Sequence, residues 1–199
     1  EMSASLVGSE MCIRDRHHLR PDGSCKHIVE YNPQTGELVN EFGGQGYSVG
    51  SSWSRGQGWG LYGFTISYEH TKDIRYLDAA KRIAHYVISC VGRTGWLPLC
   101  DFRSPAQPII YDSTAGAIIA SGLIELSRNV SELERDIYET AAVQILKAME
   151  EKFCCWDLDK DSILQMGTLK YQGEQERHIP IIYLSLIHIS EPTRLALIS

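Results

Sequence analysis

The chain has 199 residues, with 19 Lys and Arg against 25 Asp and Glu, for a formal net charge of −6. A mildly acidic sequence without a basic run argues against recognition of nucleic acid or of anionic membrane surfaces through charge. No apolar run is long enough to span a bilayer.

In chain order, the first stretch is not expected to be native protein. Residues 6–16 read LVGSEMCIRDR and residues 184–194 read LSLIHISEPTR. Both match translations of one DNA oligonucleotide, a transposase adaptor of sequencing libraries, read on opposite strands in different frames. The flanking residues 1–5 and 195–199 would then be adaptor index sequence. Excluding such segments from fold reasoning leaves residues 17–183, of net charge −5. They are expected to be one domain or a large part of one, open at both ends.

Residues 17–40 predict a β-hairpin with its loops. Arg20-Pro21-Asp22-Gly23-Ser24 is a turn signal, and Ile28 to Tyr31 suits a short strand. Asn32-Pro33-Gln34-Thr35-Gly36 then turns the chain before Glu37-Leu38-Val39. His17 and His18 are adjacent and are expected to point apart, which disfavours a metal site there. His27 stands at the hairpin entrance.

Gln45-Gly46-Tyr47 leads into Ser51-Ser52-Trp53-Ser54-Arg55-Gly56-Gln57-Gly58-Trp59-Gly60-Leu61-Tyr62-Gly63, a loop running into a helix. Ser54 and Gln57 fit a capping box, with Arg55 the first helical residue and Trp59 one turn on. Glycines inside a helix cost about 1 kcal/mol each against Ala. An Arg in the first turn also opposes the helix dipole. Two readings stay open. Arg55 and free amides at the helix N-terminus hold an anion beside Trp53 or Trp59, or Arg55 pairs with a structural carboxylate and the glycines permit close packing.

A second helix is predicted after Asp73, with Leu77, Ala80, Ala84, Val87, Ile88 and Val91 on one stripe and Gly92 to stop it. Gly95 to Pro108 is irregular. A third helix follows Asp112-Ser113, either of which can cap it, with Ala115, Ile118, Ile119, Gly122, Leu123 and Leu126 on one face. Ser131 caps a fourth with Glu134 at the box position, and Leu133, Ile137, Ala141, Ile145, Ala148 and Met149 form its stripe. The polar stretch after Asp157 reads as loop. Helix pairs with alternating short and long connections predict an all-α toroid of helical hairpins, with site residues on the loops at one rim. A helical solenoid would need a repeat signature, and none is present.

Without Cys12, which lies in the adaptor-like string, five cysteines remain at irregular spacing. That disfavours a disulfide framework and favours a reducing, cytoplasmic compartment. Cys90 is expected to be a small core residue. No cluster suggests a metal or an organic cofactor.

With these residues laid out, the chain resembles glycoside hydrolase family 88, the unsaturated glucuronyl hydrolases. The resemblance rests on the Arg-Pro-Asp-Gly-Ser turn with His27, on Gln45-Gly46-Tyr47 and on the run from Trp53 to Trp59 with Leu61-Tyr62-Gly63. The helix from Asp112-Ser113-Thr114-Ala115 to Ala120-Ser121-Gly122-Leu123-Ile124-Glu125-Leu126 extends it. The resemblance implies part of an (α/α)6 barrel. It also implies release of 4,5-unsaturated uronic acid from the non-reducing end of lyase-generated acidic oligosaccharides. That chemistry hydrates a vinyl ether rather than using the paired carboxylates of ordinary glycosidases.

By resemblance, His27, Gln45, Trp53, Arg55 and Trp59 would line the substrate site. Arg55 would take the uronate carboxylate, the tryptophans would flank the sugar, and His27 and Gln45 would bind substrate or water. The family's general-acid Asp lies upstream of the Arg-Pro-Asp-Gly-Ser turn, so this chain alone is expected to be inactive; Asp22, Asp101 and Asp112 are not expected to replace it. Alternatives are an unsaturated rhamnogalacturonyl hydrolase, a non-catalytic carbohydrate-binding protein, and a helical scaffold in which Arg55 and Trp59 are structural.

Overall fold

The computed structural model describes residues 17–160 and 162–181. The adaptor-like segments, residues 1–16 and 184–199, lie outside the described residues. Two short strands come first, β1 (Ile28–Tyr31) and β2 (Leu38–Phe42), paired antiparallel with Ile28 opposite Phe42 and Val29 opposite Glu41. Their turn is closed by the Asn32 carboxamide oxygen, which accepts from the amides of Gln34 and Thr35 at 2.8 and 3.1 Å. This is the local competition of Asn with backbone acceptors that the motif predicts. The rings of His17 and His18 do not diverge as expected: both lie against Tyr31, with centroids 5.7 and 5.8 Å away.

Four helices follow: α1 (Ser54–Thr71), α2 (Ile74–Gly92), α3 (Ser113–Ser127) and α4 (Glu132–Phe153). Short connections join α1 to α2 and α3 to α4, whereas residues 93–112 make a long excursion between the pairs. α1 packs on α3, with α2 against α1 and α4 against α3. This is an all-α arrangement, part of an (α/α)6 barrel, with the small hairpin beside it. Among the described residues no helix is long and apolar enough to cross a membrane.

Two of the helix glycines, Gly58 and Gly122, serve the α1–α3 seam. A Cβ on Gly122 would stand 2.9 Å from Leu61 Cγ, and one on Gly58 would stand 3.0 Å from Ile118 Cγ2. Leu61, Ile83, Ala84, Val87, Ile119, Leu123, Leu126, Ala142 and Ile145 are fully buried around this seam. The third-helix stripe predicted from sequence is buried throughout.

The structure departs from expectation in four further respects. α1 begins at Ser54 and has no capping box: Ser54 Oγ donates to Cys100 O, and Gln57 is committed elsewhere. In α4 Leu133 and Ile137 are 92% and 50% exposed, and the buried stripe is Tyr138, Ala141, Ala142, Ile145, Met149 and Phe153. The Ser131 hydroxyl bonds the Glu134 carboxylate rather than capping an amide. Cys90 is half-buried at the edge of α2, outside the core formed by Ile83, Val87 and Val91.

Gly122→Ala should therefore overpack the seam and lower stability by about 1–3 kcal/mol. Urea unfolding checks this, and an unchanged midpoint would show that the helices can separate without cost.

Candidate functional site

The first turn of α1 carries Arg55, a cation where the helix dipole is positive. The side chain is only 2% exposed, and its Nε and Nη2 donate to Asp112 Oδ2 at 3.1 and 2.9 Å. Asp112 is itself fully buried and is the N-cap of α3, where Oδ1 accepts from the Thr114 amide at 3.2 Å. The Thr168 amide reaches the same oxygen at 3.3 Å, and the Thr168 carbonyl accepts from Arg55 Nη2. One ion pair thus locks the N-termini of α1 and α3 to each other and to the segment around Thr168. Burial pushes the Asp112 carboxyl above its ordinary value, against the opposing pull of Arg55 and the Thr168 amide.

Over this anchor stands a wall of aromatic and amide groups. The Arg55 guanidinium lies 5.1 Å from the centroid of the Trp53 ring. Trp53 is 7% exposed and stacks on His27 at 4.3 Å with an interplanar angle of 5°. His27 Nε2 is 3.2 Å from Gln45 Oε1, and Gln45 Nε2 donates to Leu169 O at 3.2 Å. The Tyr171 amide donates to Gln45 O at 2.9 Å, so residues 168–171 strap the wall from the far end of the chain. The Trp53 indole nitrogen is buried without a hydrogen-bond partner among the described residues.

Four of the five residues expected to line a substrate site are therefore contiguous: His27, Gln45, Trp53 and Arg55. Trp59 stands apart, 42% exposed and one turn beyond Arg55 on α1. Of the two open readings for Arg55, the geometry supplies the structural carboxylate, Asp112.

The other nearby acids are also engaged. Asp101 is fully buried and accepts from the amides of Ser52, Tyr47 and Arg103 at 2.9, 3.0 and 2.9 Å, stapling the loop before α1 to the excursion after α2. Asp22 pairs with Arg103, and Glu41 pairs with Arg20 at 2.6 Å and Lys26 at 3.3 Å. The Glu41 carboxyl is desolvated, yet Arg20 and Lys26 hold it below its usual value. Among the described residues no group of three or more His, Cys, Asp or Glu is placed to hold a metal ion.

Several participants were not legible as such. Gln57, taken for a capping-box residue, pairs both ways with the Cys25 backbone: Oε1 accepts from the amide at 2.6 Å and Nε2 donates to the carbonyl at 3.0 Å. That pairing ties the hairpin base to α1. Thr168 and Leu169 act through backbone groups, which leave no side-chain signature.

No protein-family model matches the chain. It is 33% identical over 172 residues to the unsaturated glucuronyl hydrolase of Bacillus sp. (strain GL1), covering 84% of this chain and 45% of that protein. The crystal structure of the Bacillus sp. GL1 enzyme superposes with a TM-score of 0.81 at 28% identity, over 92% of this chain and 51% of the other. The unsaturated chondroitin disaccharide hydrolase of Streptococcus pneumoniae (strain ATCC BAA-255 / R6) is 31% identical over 165 residues, 80% of this chain and 40% of that one. A crystal structure of an unsaturated glucuronyl hydrolase specific for heparin gives a TM-score of 0.87 at 28% identity, over 98% and 53% of the two chains. The chain spans less than half the length of these curated relatives.

Two outcomes are expected from the anchor. Asp112→Ala strands a buried guanidinium and should cost about 3–5 kcal/mol in chemical denaturation; a loss within error of zero would remove the pair from its structural role. Burial pushes the Cys25 thiol up to about 12. Alkylation of the native protein read by mass spectrometry should therefore spare Cys25 and the buried Cys100, and modify the half-buried Cys90, Cys154 and Cys155.

Proposed function

The chain belongs to the unsaturated glucuronyl hydrolase family, and from that premise we propose that the full-length protein hydrates the 4,5-unsaturated uronate at the non-reducing end of acidic oligosaccharides. A proton adds to C4 and water oxygen to C5, giving a hemiketal. The hemiketal opens to a C5 ketone, and the freed anomeric carbon releases the next sugar. The observation that carries this proposal is the contiguous wall of His27, Gln45 and Trp53 on the Arg55–Asp112 anchor, within a stretch similar to hydrolases of this class.

In this scheme His27 and Trp53 meet the sugar, and Gln45 holds His27 from behind. Trp53, its ring stacked on His27, brings an indole N–H with no acceptor among the described residues, and Trp59 offers an exposed stacking surface. Arg55, held by Asp112, acts as a positioning residue that sets the wall from behind. The general acid comes from outside the described residues, because Asp22, Glu41, Asp101 and Asp112 are each committed to a cation or to backbone amides. Residues 17–183 are taken as the native part, and the chain alone is expected to be inactive.

The test is loss of ultraviolet absorbance from an unsaturated chondroitin or heparin disaccharide, using the full-length protein. Arg55→Ala should lower both kcat and the melting temperature if Arg55 positions the wall. A raised KM with unchanged stability would instead put Arg55 on the uronate carboxylate. Turnover of saturated glycosides alone would overturn the proposed activity.

A further inference from the structure

The amide of Gln45 sits between two partners, and one of them has no choice of role. Leu169 O is a carbonyl and can only accept, so the Gln45 group 3.2 Å from it must be the NH2. The carboxamide orientation follows from this hydrogen-bond logic, which settles the assignment of O and N in such groups. Gln45 Oε1 is then the atom 3.2 Å from His27 Nε2, and an oxygen of this kind can only accept. The neutral imidazole carries one proton, which must sit on Nε2 to make the bond. Nδ1 is left as a bare acceptor.

The packing agrees. The Cδ2–Nε2 edge of His27 lies on the backbone at Gly44, where a Cβ would approach to 2.8 and 2.9 Å of those atoms. Gly44 has φ of +56°, which favours glycine on backbone grounds as well. Trp53 covers a face of the ring. Nδ1 has no hydrogen-bond partner among the described residues.

We propose that Gln45, held by the Leu169 carbonyl, is a positioning residue that fixes His27 in the Nε2–H tautomer, leaving Nδ1 to accept a hydrogen bond from a hydroxyl donor of the ligand or from water. The assignment of that donor to the sugar site rests on the hydrolase proposal above. It has a consequence for specificity: in the neutral Nε2–H form the bare Nδ1 repels a carboxylate oxygen, so in that form His27 serves a hydroxyl and not the uronate carboxylate. Residues 168–171 thereby set the chemistry of a ring more than a hundred positions earlier in the chain.

The tautomer is read directly by long-range proton–nitrogen correlation NMR on the chain labelled with 15N-histidine, the His27 signals being those missing from His27→Gln. The expected result is a protonated Nε2 and a bare Nδ1. Gln45→Leu removes the lock, and a population with Nδ1–H should appear. Gln45→Glu still accepts from Nε2–H but cannot donate to Leu169 O, so at a pH where the imidazole is neutral it should keep the tautomer while losing the strap bond. A strap-only role for Gln45 would make the two variants alike. A dominant Nδ1–H form in the wild type overturns the proposal, whatever the variants do. So does a folded Gln45→Leu variant with wild-type ring shifts. Because the spectra are recorded without substrate, failure of the full-length protein to hydrate unsaturated disaccharides would count against the hydrolase reading and leave the tautomer result standing.

Discussion

The pairing of Arg55 with Asp112 is the constraint on which the rim of this structure depends. Two ionised groups with almost no exposure are costly to bury, and such a pair is tolerated only where each remaining donor and acceptor is satisfied. Here the satisfaction comes from three directions at once. Asp112 also caps α3 and takes the Thr168 amide, while Arg55 reaches the Thr168 carbonyl. None of these partners can move without stranding a charge. The N-termini of two neighbouring helices and a segment from the far end of the chain are therefore set as one unit. The same pair resolves the unfavourable placement of a cation at the positive end of a helix dipole, because the Asp112 carboxylate stands at that end too.

What the anchor supports is a stack whose members each fix the next. The guanidinium lies over Trp53, Trp53 stacks on His27, His27 bonds Gln45, and Gln45 closes on the backbone at Leu169 and Tyr171. Positions held by packing and by a further layer of hydrogen bonds are what a binding site needs if its groups are to keep their geometry. Close approach between α1 and α3 at Gly58 and Gly122 brings the two helix ends near enough for the ion pair. The seam and the site are therefore one construction, with the glycines setting the spacing and the charges reading it.

Much of this was legible because the residues concerned act through local pattern. The hairpin was visible from Asn32 and Gly36, and the helices from the stripes in α2 and α3. Asp73 was visible at the opening of α2, and Asp112 as one of two candidates to cap α3. The misreadings share a physical cause. Ser54, Gln57 and Ser131 have the residue types of caps, but a hydroxyl or carboxamide is not bound to use its nearest amide. Gln57 found the Cys25 backbone 32 positions away, and Ser54 found the Cys100 carbonyl. The stripe of α4 was drawn through Leu133 and Ile137 because both are apolar, yet its first turns bury Tyr138 instead, whose hydroxyl meets His85 at 3.0 Å. Asp112 was seen as a cap and Arg55 as a cation in want of an anion. Nothing local could join them, since 57 positions separate the two.

The disposition of the acids limits what this part of the molecule can contribute to chemistry. A carboxyl that delivers a proton to carbon must be free to lose it and regain it in each turnover. Asp101 holds three loop amides, and releasing them would detach the loop that carries Tyr47 and Ser52. Asp112 would have to abandon both Arg55 and the α3 cap. Asp22 and Glu41 are tied to Arg103 and to Arg20 and Lys26 in the turn and hairpin that seat His27. The carboxylates around His27, Gln45 and Trp53 are thus structural ties, and on the proposed reading this wall binds the ligand and does not supply the proton.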